Sequence, residues 1–249
     1  MGLMPQSYIS QSLLTRPARL KVMSRVSIIV PVLNEETQII RCLQVLQPQR
    51  GPDCELIVVD GGSEDLTVAL AEPLADRILF GTRGRAMQMN AGARQASGEI
   101  LWFLHADSIP PDGAIEGIRA FLLSPDRHWG RFDVSLSGRH PLLRIVEILM
   151  NLRSDLTGIA TGDQGIFVRR EWFERVNGFP AIPLMEDIAL SRQLRRYGWP
   201  VRLRQRLQTS SRRWERDGIF RTILLMWWLR LAYCFGADPN WLARIYYRS

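Results

Sequence analysis

The chain reads as an α/β protein with a Rossmann-like, mostly parallel central sheet flanked by helices. Three observations predict this. Short runs rich in Val, Ile and Leu alternate with stretches of helical spacing from Val26 onward. Several of these runs are apolar throughout, the pattern of strands buried on both faces. Three carboxylates, Asp60, Asp107 and Asp187, fall where such runs end or loops turn, and an open α/β sheet places its chemistry at the carboxyl ends of its strands.

Val26–Val32, VSIIVPV, is the expected first strand. Asn34 follows, placed to cap a helix with Glu35 and Glu36 in its first turn. Ile39, Leu43 and Leu46 keep helical spacing until Pro48 and Gly51-Pro52 stop it. Leu56–Val59 is the second strand and ends in Asp60-Gly61-Gly62-Ser63. Ile78–Phe80 is a short third strand, and the loop Gly81-Thr82-Arg83-Gly84-Arg85 opens a helix to about Ser97. Ile100–Leu104 ends in His105-Ala106-Asp107, and Pro110-Pro111 turns the chain beyond it. Helices are expected at Ala114–Leu123, Leu142–Leu152 and Glu186–Tyr197, and strands at Phe132–Leu136 and Ile166–Val168. No solenoid-length repeat or low-complexity segment interrupts this order.

Of 249 residues 46% are hydrophobic, enough for a core and against bulk disorder. Lys21 is the only lysine against 31 arginines, which argues against P-loop kinases and pyridoxal enzymes, whose chemistry requires a well-placed lysine. No G-x-G-x-x-G occurs, so dinucleotide oxidoreduction loses its main support. Cys42, Cys54 and Cys234 are odd in number and widely spaced, as expected of buried reduced thiols. Residues 1–24 hold Arg16, Arg19 and Lys21 but no acid, and lack the apolar core of a secretory signal; a disordered extension is expected.

Residues 192–216 hold nine arginines and one acid, more positive charge than the net +7 of the whole chain. A solvated face competes there with an anion-binding one. Ile219–Phe235 carries Arg221 and Arg230 within 17 mostly apolar residues. That is at the short limit for a membrane span, so a core helix is expected first and a helix lying on a membrane surface second.

Each chemical candidate has a structural rival. Asp60 suits hydrogen bonds to a ribose or base, but also the capping of its own turn. Arg83 and Arg85, which flank Gly84 just ahead of a helix, suit phosphate oxygens. Asp107 suits Mg2+ or Mn2+ on a diphosphate, with His105 as a further ligand or substrate contact; a satisfied core histidine is the alternative. Glu186 and Asp187 open a helix, where acids cap well, yet Asp187 is placed to act as a general base.

Taken together these motifs resemble the family 2 glycosyltransferases, which share the nucleotide-diphospho-sugar-binding GT-A fold, over about residues 25–214. VSIIVPVLNE resembles the family's opening strand, which implies that Pro31, Asn34 and Glu35 lie near the nucleotide. Asp60-Gly61-Gly62-Ser63 resembles its D-x-G-S turn, His105-Ala106-Asp107 stands at its D-x-D position, and Glu186-Asp187 at its E-D motif. His105 replaces the first Asp, leaving Asp107 as the implied metal ligand. Arg213-Trp214 resembles the R-W of Q-x-x-R-W, although Gln208 is two residues too far upstream. GRAMQMNAGA, FLHAD, GDQGIFVRR and PLMEDIALSR resemble a bacterial subgroup associated with arsenosugar biosynthesis, some relatives of which are named carotenoid glycosyltransferases. Gly162, Asp163 and Gln164 are implied to lie near the acceptor.

The resemblance implies one domain over 25–249, with a nucleotide-sugar part at 25–128 and an acceptor-side part at 129–249 that holds the C-terminal helices. It implies an inverting, hexosyltransferase-like transfer from a nucleotide-diphospho-sugar to a hydroxyl or carboxylate, of a small polar or a lipid or carotenoid-like acceptor. A cytoplasmic protein with peripheral contact to the inner face of the cell membrane through 219–235, and no nucleic-acid partner, completes the expectation. The rivals are a sugar-nucleotide nucleotidyltransferase and a non-catalytic protein that binds membrane or nucleic acid.

Overall fold

A computed structural model describes residues 26–248; the extension expected at 1–24 lies outside them. Seven strands form one sheet: β1 (Val26–Val32), β2 (Cys54–Asp60), β3 (Arg77–Phe80), β4 (Ile100–Phe103), β5 (Trp129–Leu136), β6 (Phe167–Arg169) and β7 (Val201–Thr209). Their order is β3-β2-β1-β4-β6-β5-β7. Only β6 runs against its neighbours β4 and β5; the other pairings are parallel.

The helices are α1 (Ile39–Leu46), α2 (Thr67–Ala71), α3 (Arg85–Gln95), α4 (Ala114–Leu122), α5 (Pro141–Thr157), α6 (Arg170–Arg175), α7 (Glu186–Leu194), α8 (Arg212–Asp217), α9 (Ile219–Cys234) and α10 (Pro239–Arg248). Strand alternation divides the core in two. Ile28, Val30, Leu56, Val58 and Trp102 pack with α1 and α4 on one face. Ile29, Ile57, Val59, Leu101 and Phe103 pack with α3 and α7 on the other. Gly92 lets α3 lie close on β1, since a Cβ there would come within 2.5 Å of Ile29.

Pro31 is tolerated inside a central strand for a local reason. Ile29 pairs with Phe103 at the end of the β1–β4 ladder, and its carbonyl accepts the Leu104 N–H. Pro31, two residues on, faces the same side beyond that ladder, so no strand is denied a donor.

The structure corrects three sequence expectations and adds a strand that the sequence reading did not include. Asn34 does not cap α1: it has φ +54°, and α1 begins at Ile39 after Gln38. Val201–Thr209 is an edge strand within the arginine-rich stretch, with Arg202, Arg204 and Arg206 exposed. Arg202 is held by Asp133 at 2.7 Å and also reaches Asp155. The expected core helix, α9, buries only Thr222 and Leu229 fully; Phe220, Leu224, Trp227, Trp228 and Leu231 are exposed. Among the described residues no helix is long and apolar enough to cross a membrane. Cys42 and Cys54 are buried as expected, but Cys234 is exposed.

Candidate active site

The loops after β1 and β2 are tied to each other at the carboxyl edge of the sheet. Asn34 accepts the Glu64 N–H at 2.9 Å through Oδ1, and its own N–H donates to Ser63 Oγ at 2.9 Å. The Glu35 N–H donates to Thr67 Oγ1 at 2.7 Å. Gln88 of α3 is buried and donates through Nε2 to the Val32 and Val59 carbonyls at 2.7 and 2.8 Å, clamping the ends of β1 and β2. Asp60 caps its own turn, with Oδ2 accepting from the Gly62 and Ser63 N–H groups at 2.9 and 3.0 Å. It also lines a cavity of about 540 Å³ with Gly62, Phe80, Gly81, Met87 and Arg94. The turn-capping reading of Asp60 is thus observed, and the same carboxylate stands in the wall of a cavity.

A second cluster lies at the end of β4. His105 Nδ1 is 3.6 Å from Asp163 Oδ1. Burial pulls the imidazole's pKa down, but the hydrogen bond and charge of Asp163 and the charge of Asp107 outweigh it, leaving the pKa above its usual value. Burial raises the Asp107 carboxyl, Asp163 adds to this, and His105 and Arg212 oppose it. Burial likewise raises Glu35, with Asp107 adding and Arg212 opposing. Arg212 of α8 approaches Glu35 to 3.3 Å across 177 residues of sequence. This group of crowded carboxylates suits a divalent cation. Asp107 would hold it with His105 beside it, in the manner of Mg2+ or Mn2+ sites that use few protein ligands and the phosphates of the substrate. Among the described residues no ready-made group of three or more His, Cys, Asp or Glu ligands exists.

The acidic start of α7 closes the site. Asp187 Oδ2 accepts the Gly162 N–H at 2.8 Å and Oδ1 accepts the Ile188 N–H at 2.7 Å. Arg85, His105, Gly162, Asp163, Asp187 and Arg230 line one small cavity. Glu186 stands behind it, 3% exposed, with Oε1 3.1 Å from Arg85 Nε. Burial and the adjacent Asp187 raise its carboxyl above the usual range against the pull of Arg85. Asp107, Asp163 and Asp187 are thus gathered around His105, while Asp60 faces the neighbouring cavity along the same edge.

Other expected site residues are placed as follows. Pro31 is buried in β1. Arg83 is exposed on the loop, Gly84 precedes α3 with φ +130°, and Arg85 turns into the site. Gln164 is fully buried: Oε1 accepts from Ser154 Oγ at 2.7 Å and from the Thr161 N–H at 3.1 Å, holding the 162–164 turn. Arg213 donates to the Tyr246 carbonyl at 2.6 Å and stacks on the Tyr246 ring. Trp214 lines an apolar groove between α5 and α9. Sequence reasoning passed over Gln88 and Arg212, and set Arg85 beside Arg83 for phosphate, whereas Arg85 stands against Glu186. Arg230 gave a signal, as an arginine inside an apolar run.

Gly162 has no room for a side chain: a Cβ would sit 2.4 Å from His105 Cε1 and Nε2. Gly162→Ala is expected to displace the ring or break the Asp187 hydrogen bond. Activity should fall roughly tenfold, a fraction of the ~100-fold that a full ångström of misplacement can cost. Turnover measured beside thermal unfolding checks this, and a loss of stability with normal turnover in the folded fraction would refute it.

The Glycosyl transferase family 2 model matches residues 27–176, more than half of the chain and the strands from β1 to β6 but for Val26. The chain belongs to glycosyltransferase family 2. Glycosyltransferase AglE of Haloferax volcanii is 37% identical over 94 residues, 34% of this chain and 31% of that protein. Probable glycosyltransferase YdaM of Bacillus subtilis is 23% identical over 207 residues, 74% of this chain and 49% of that protein. The chain thus spans half or less of the length of these relatives. Its fold is GT-A. S. aureus TarS 1-349 in complex with UDP-GlcNAc superposes with a TM-score of 0.62 and 20% identity, over 75% of this chain and 58% of that one. The mannosyltransferase PcManGT of Pyrobaculum calidifontis, in complex with GDP-Man and Mn2+, gives a TM-score of 0.57 and 25% identity, over 76% and 57%.

Proposed function

We propose that this family 2 member transfers a hexose from a nucleotide-diphospho-sugar to an acceptor hydroxyl or carboxylate, inverting the anomeric centre. The observation that carries the reading is the His105–Asp163–Asp187 cavity at the ends of β4 and α7, beside Asp107. Glu35 and Asp60 bind the nucleoside, and Arg83 with Gly84 meets the diphosphate. The acceptor oxygen attacks the anomeric carbon and its proton passes to Asp187. The bond from that carbon to the diphosphate oxygen breaks, and its electron pair leaves with the nucleoside diphosphate. A bound Mg2+ or Mn2+ on Asp107 supplies positive charge against the diphosphate. PcManGT, crystallised with GDP-Man and Mn2+, supports this choice of donor and ion.

The subgroup resemblance to bacterial arsenosugar enzymes and to carotenoid glycosyltransferases belongs to the same proposal. The test is a panel of nucleotide sugars, first for Mn2+-dependent binding and then for transfer to lipid and small polar acceptors. Release of nucleoside diphosphate together with a glycosylated acceptor is expected. Release of pyrophosphate would indicate a nucleotidyltransferase, which should carry a glycine-arginine loop directly after the first strand, where Asn34-Glu35-Glu36 stands.

We place the protein in the cytoplasm, peripheral on the inner face of the membrane. Phe220, Leu224, Trp227 and Leu231 of α9 and Ile148 and Leu156 of α5 are exposed apolar side chains, and arginines stand nearby in α8. The protein is expected to float with anionic liposomes, and Leu224→Glu with Trp227→Glu is expected to abolish flotation. Flotation unaffected by the double substitution would remove these helices from membrane contact.

A further inference from the structure

A cavity of about 680 Å³ forms a groove between α5 and α9, within the size range of small-molecule sites. Its walls are apolar, including Met150, Leu156, Trp214, Trp227 and Leu231. Its inner end is not. Arg153 and Arg230 stand there, and Asp163, Met226 and Arg230 line both the groove and the catalytic cavity, so the two share a wall.

These arginines are short of partners. The Nε atoms of both are buried without a hydrogen-bond acceptor. Arg153 donates from Nη2 to Ser154 Oγ at 3.0 Å. Among the described residues neither forms an ion pair with a carboxylate; Asp163 faces His105 and Asp187 accepts from the Gly162 N–H. Burial pushes the Arg153 pKa down to about 9, and the charge of Arg230 adds to this. Burial lowers Arg230 as well, against the charges of Asp187 and Asp163. Two crowded guanidinium groups at the end of an apolar groove complement an anion carried on an apolar chain. The charges around them are those of Asp187 and Asp163, with Arg131 also acting on Arg153; Asp107, Glu35 and Arg212 form the other side of the site.

We propose that this groove is the acceptor site, and that it takes a single-chain lipid phosphate: the chain between α5 and α9, the phosphate on Arg153 and Arg230. The assignment rests on the reading of Asp187 as the acceptor side of the transfer. The phosphate fixes the head group, and the hydroxyl that meets Asp187 is carried beside it.

Three tryptophans line the groove, so binding to the full chain is readable from intrinsic fluorescence, without donor or turnover. The probe is decyl phosphate below its micellar concentration. Decanol supplies the chain alone, inorganic phosphate the charge alone, and decyltrimethylammonium the opposite charge. Decyl phosphate is expected to bind at least about tenfold tighter than any of the three, the scale of a charge-assisted contact. Arg153→Gln and Arg230→Gln should each bring it close to decanol while leaving decanol unchanged. Leu231→Asp, at a site 57% exposed and so harmless to the core, should weaken both chains. Decyl phosphate no tighter than decanol, inorganic phosphate as tight as decyl phosphate, or a preference that survives both arginine substitutions would each overturn the assignment. Failure here with sugar transfer intact strikes this inference alone; sound binding with no transfer to any acceptor strikes the proposed function instead.

Discussion

Asp187→Asn is expected to lower sugar transfer by about 10²–10⁴-fold, the usual contribution of a positioned general base, and to leave nucleotide-sugar binding unchanged. The substitution keeps the shape of the side chain and removes its capacity to take a proton. Two N–H groups now share the carboxylate, from Gly162 on Oδ2 and from Ile188 on Oδ1. Asn offers one acceptor oxygen, so one of these bonds is lost, at about 1 kcal/mol. The expected loss of stability is therefore small beside the loss of rate. Calorimetry with the nucleotide sugar, thermal unfolding and a transfer assay separate the three effects. Near-normal turnover in the Asn variant would remove Asp187 from the base role and turn attention to Glu186. Glu186 is the weaker candidate because it is buried against Arg85 and does not line the cavity.

The parts of this site that were legible beforehand are those encoded locally. β1, β2 and β4 are short apolar runs whose ends are marked by a change to polar residues, so Asp60 and Asp107 could be placed at a sheet edge from the sequence alone. Partnerships across the fold could not. Arg83 and Arg85 flank Gly84 symmetrically in sequence, and only the start of α3 at Arg85 decides which one meets Glu186. Arg212 reaches Glu35 because β7 carries the chain back along the sheet before α8 begins. That strand was hidden: Val201, Leu203 and Leu207 alternate with arginines, and on an edge strand the charged side chains simply face water. The same arginines made the stretch look like a surface. α9 misled in the opposite sense, since an apolar run looks like core until it is seen against a partner that covers little of it. Arg153 and Arg230 meet only through the packing of α5 beside α9, and no spacing rule connects them.

Asp107→Ala carries the second large expectation: turnover down by at least about 10²-fold, with the Mn2+ dependence of nucleotide-sugar binding lost. The carboxyl sits in a neighbourhood already rich in negative charge, with Glu35 and Asp163 coupled to it. Burial raises it, so holding it ionised is costly unless positive charge arrives. Arg212 and His105 supply part of that charge, but Arg212 is committed to Glu35 and His105 to Asp163. On the proposed reading a divalent cation brought in with the diphosphate would satisfy the remainder, so the Mn2+ dependence of nucleotide-sugar binding should disappear with the carboxylate. Relieving the crowding also predicts that Asp107→Ala leaves the apo protein as stable as the parent or slightly more so. Loss of activity with unchanged Mn2+-dependent binding would place the ion elsewhere. Unfolding of the variant would instead make Asp107 a structural residue, and Asp107→Asn, which keeps the volume and one acceptor oxygen, then distinguishes a lost ligand from a lost fold.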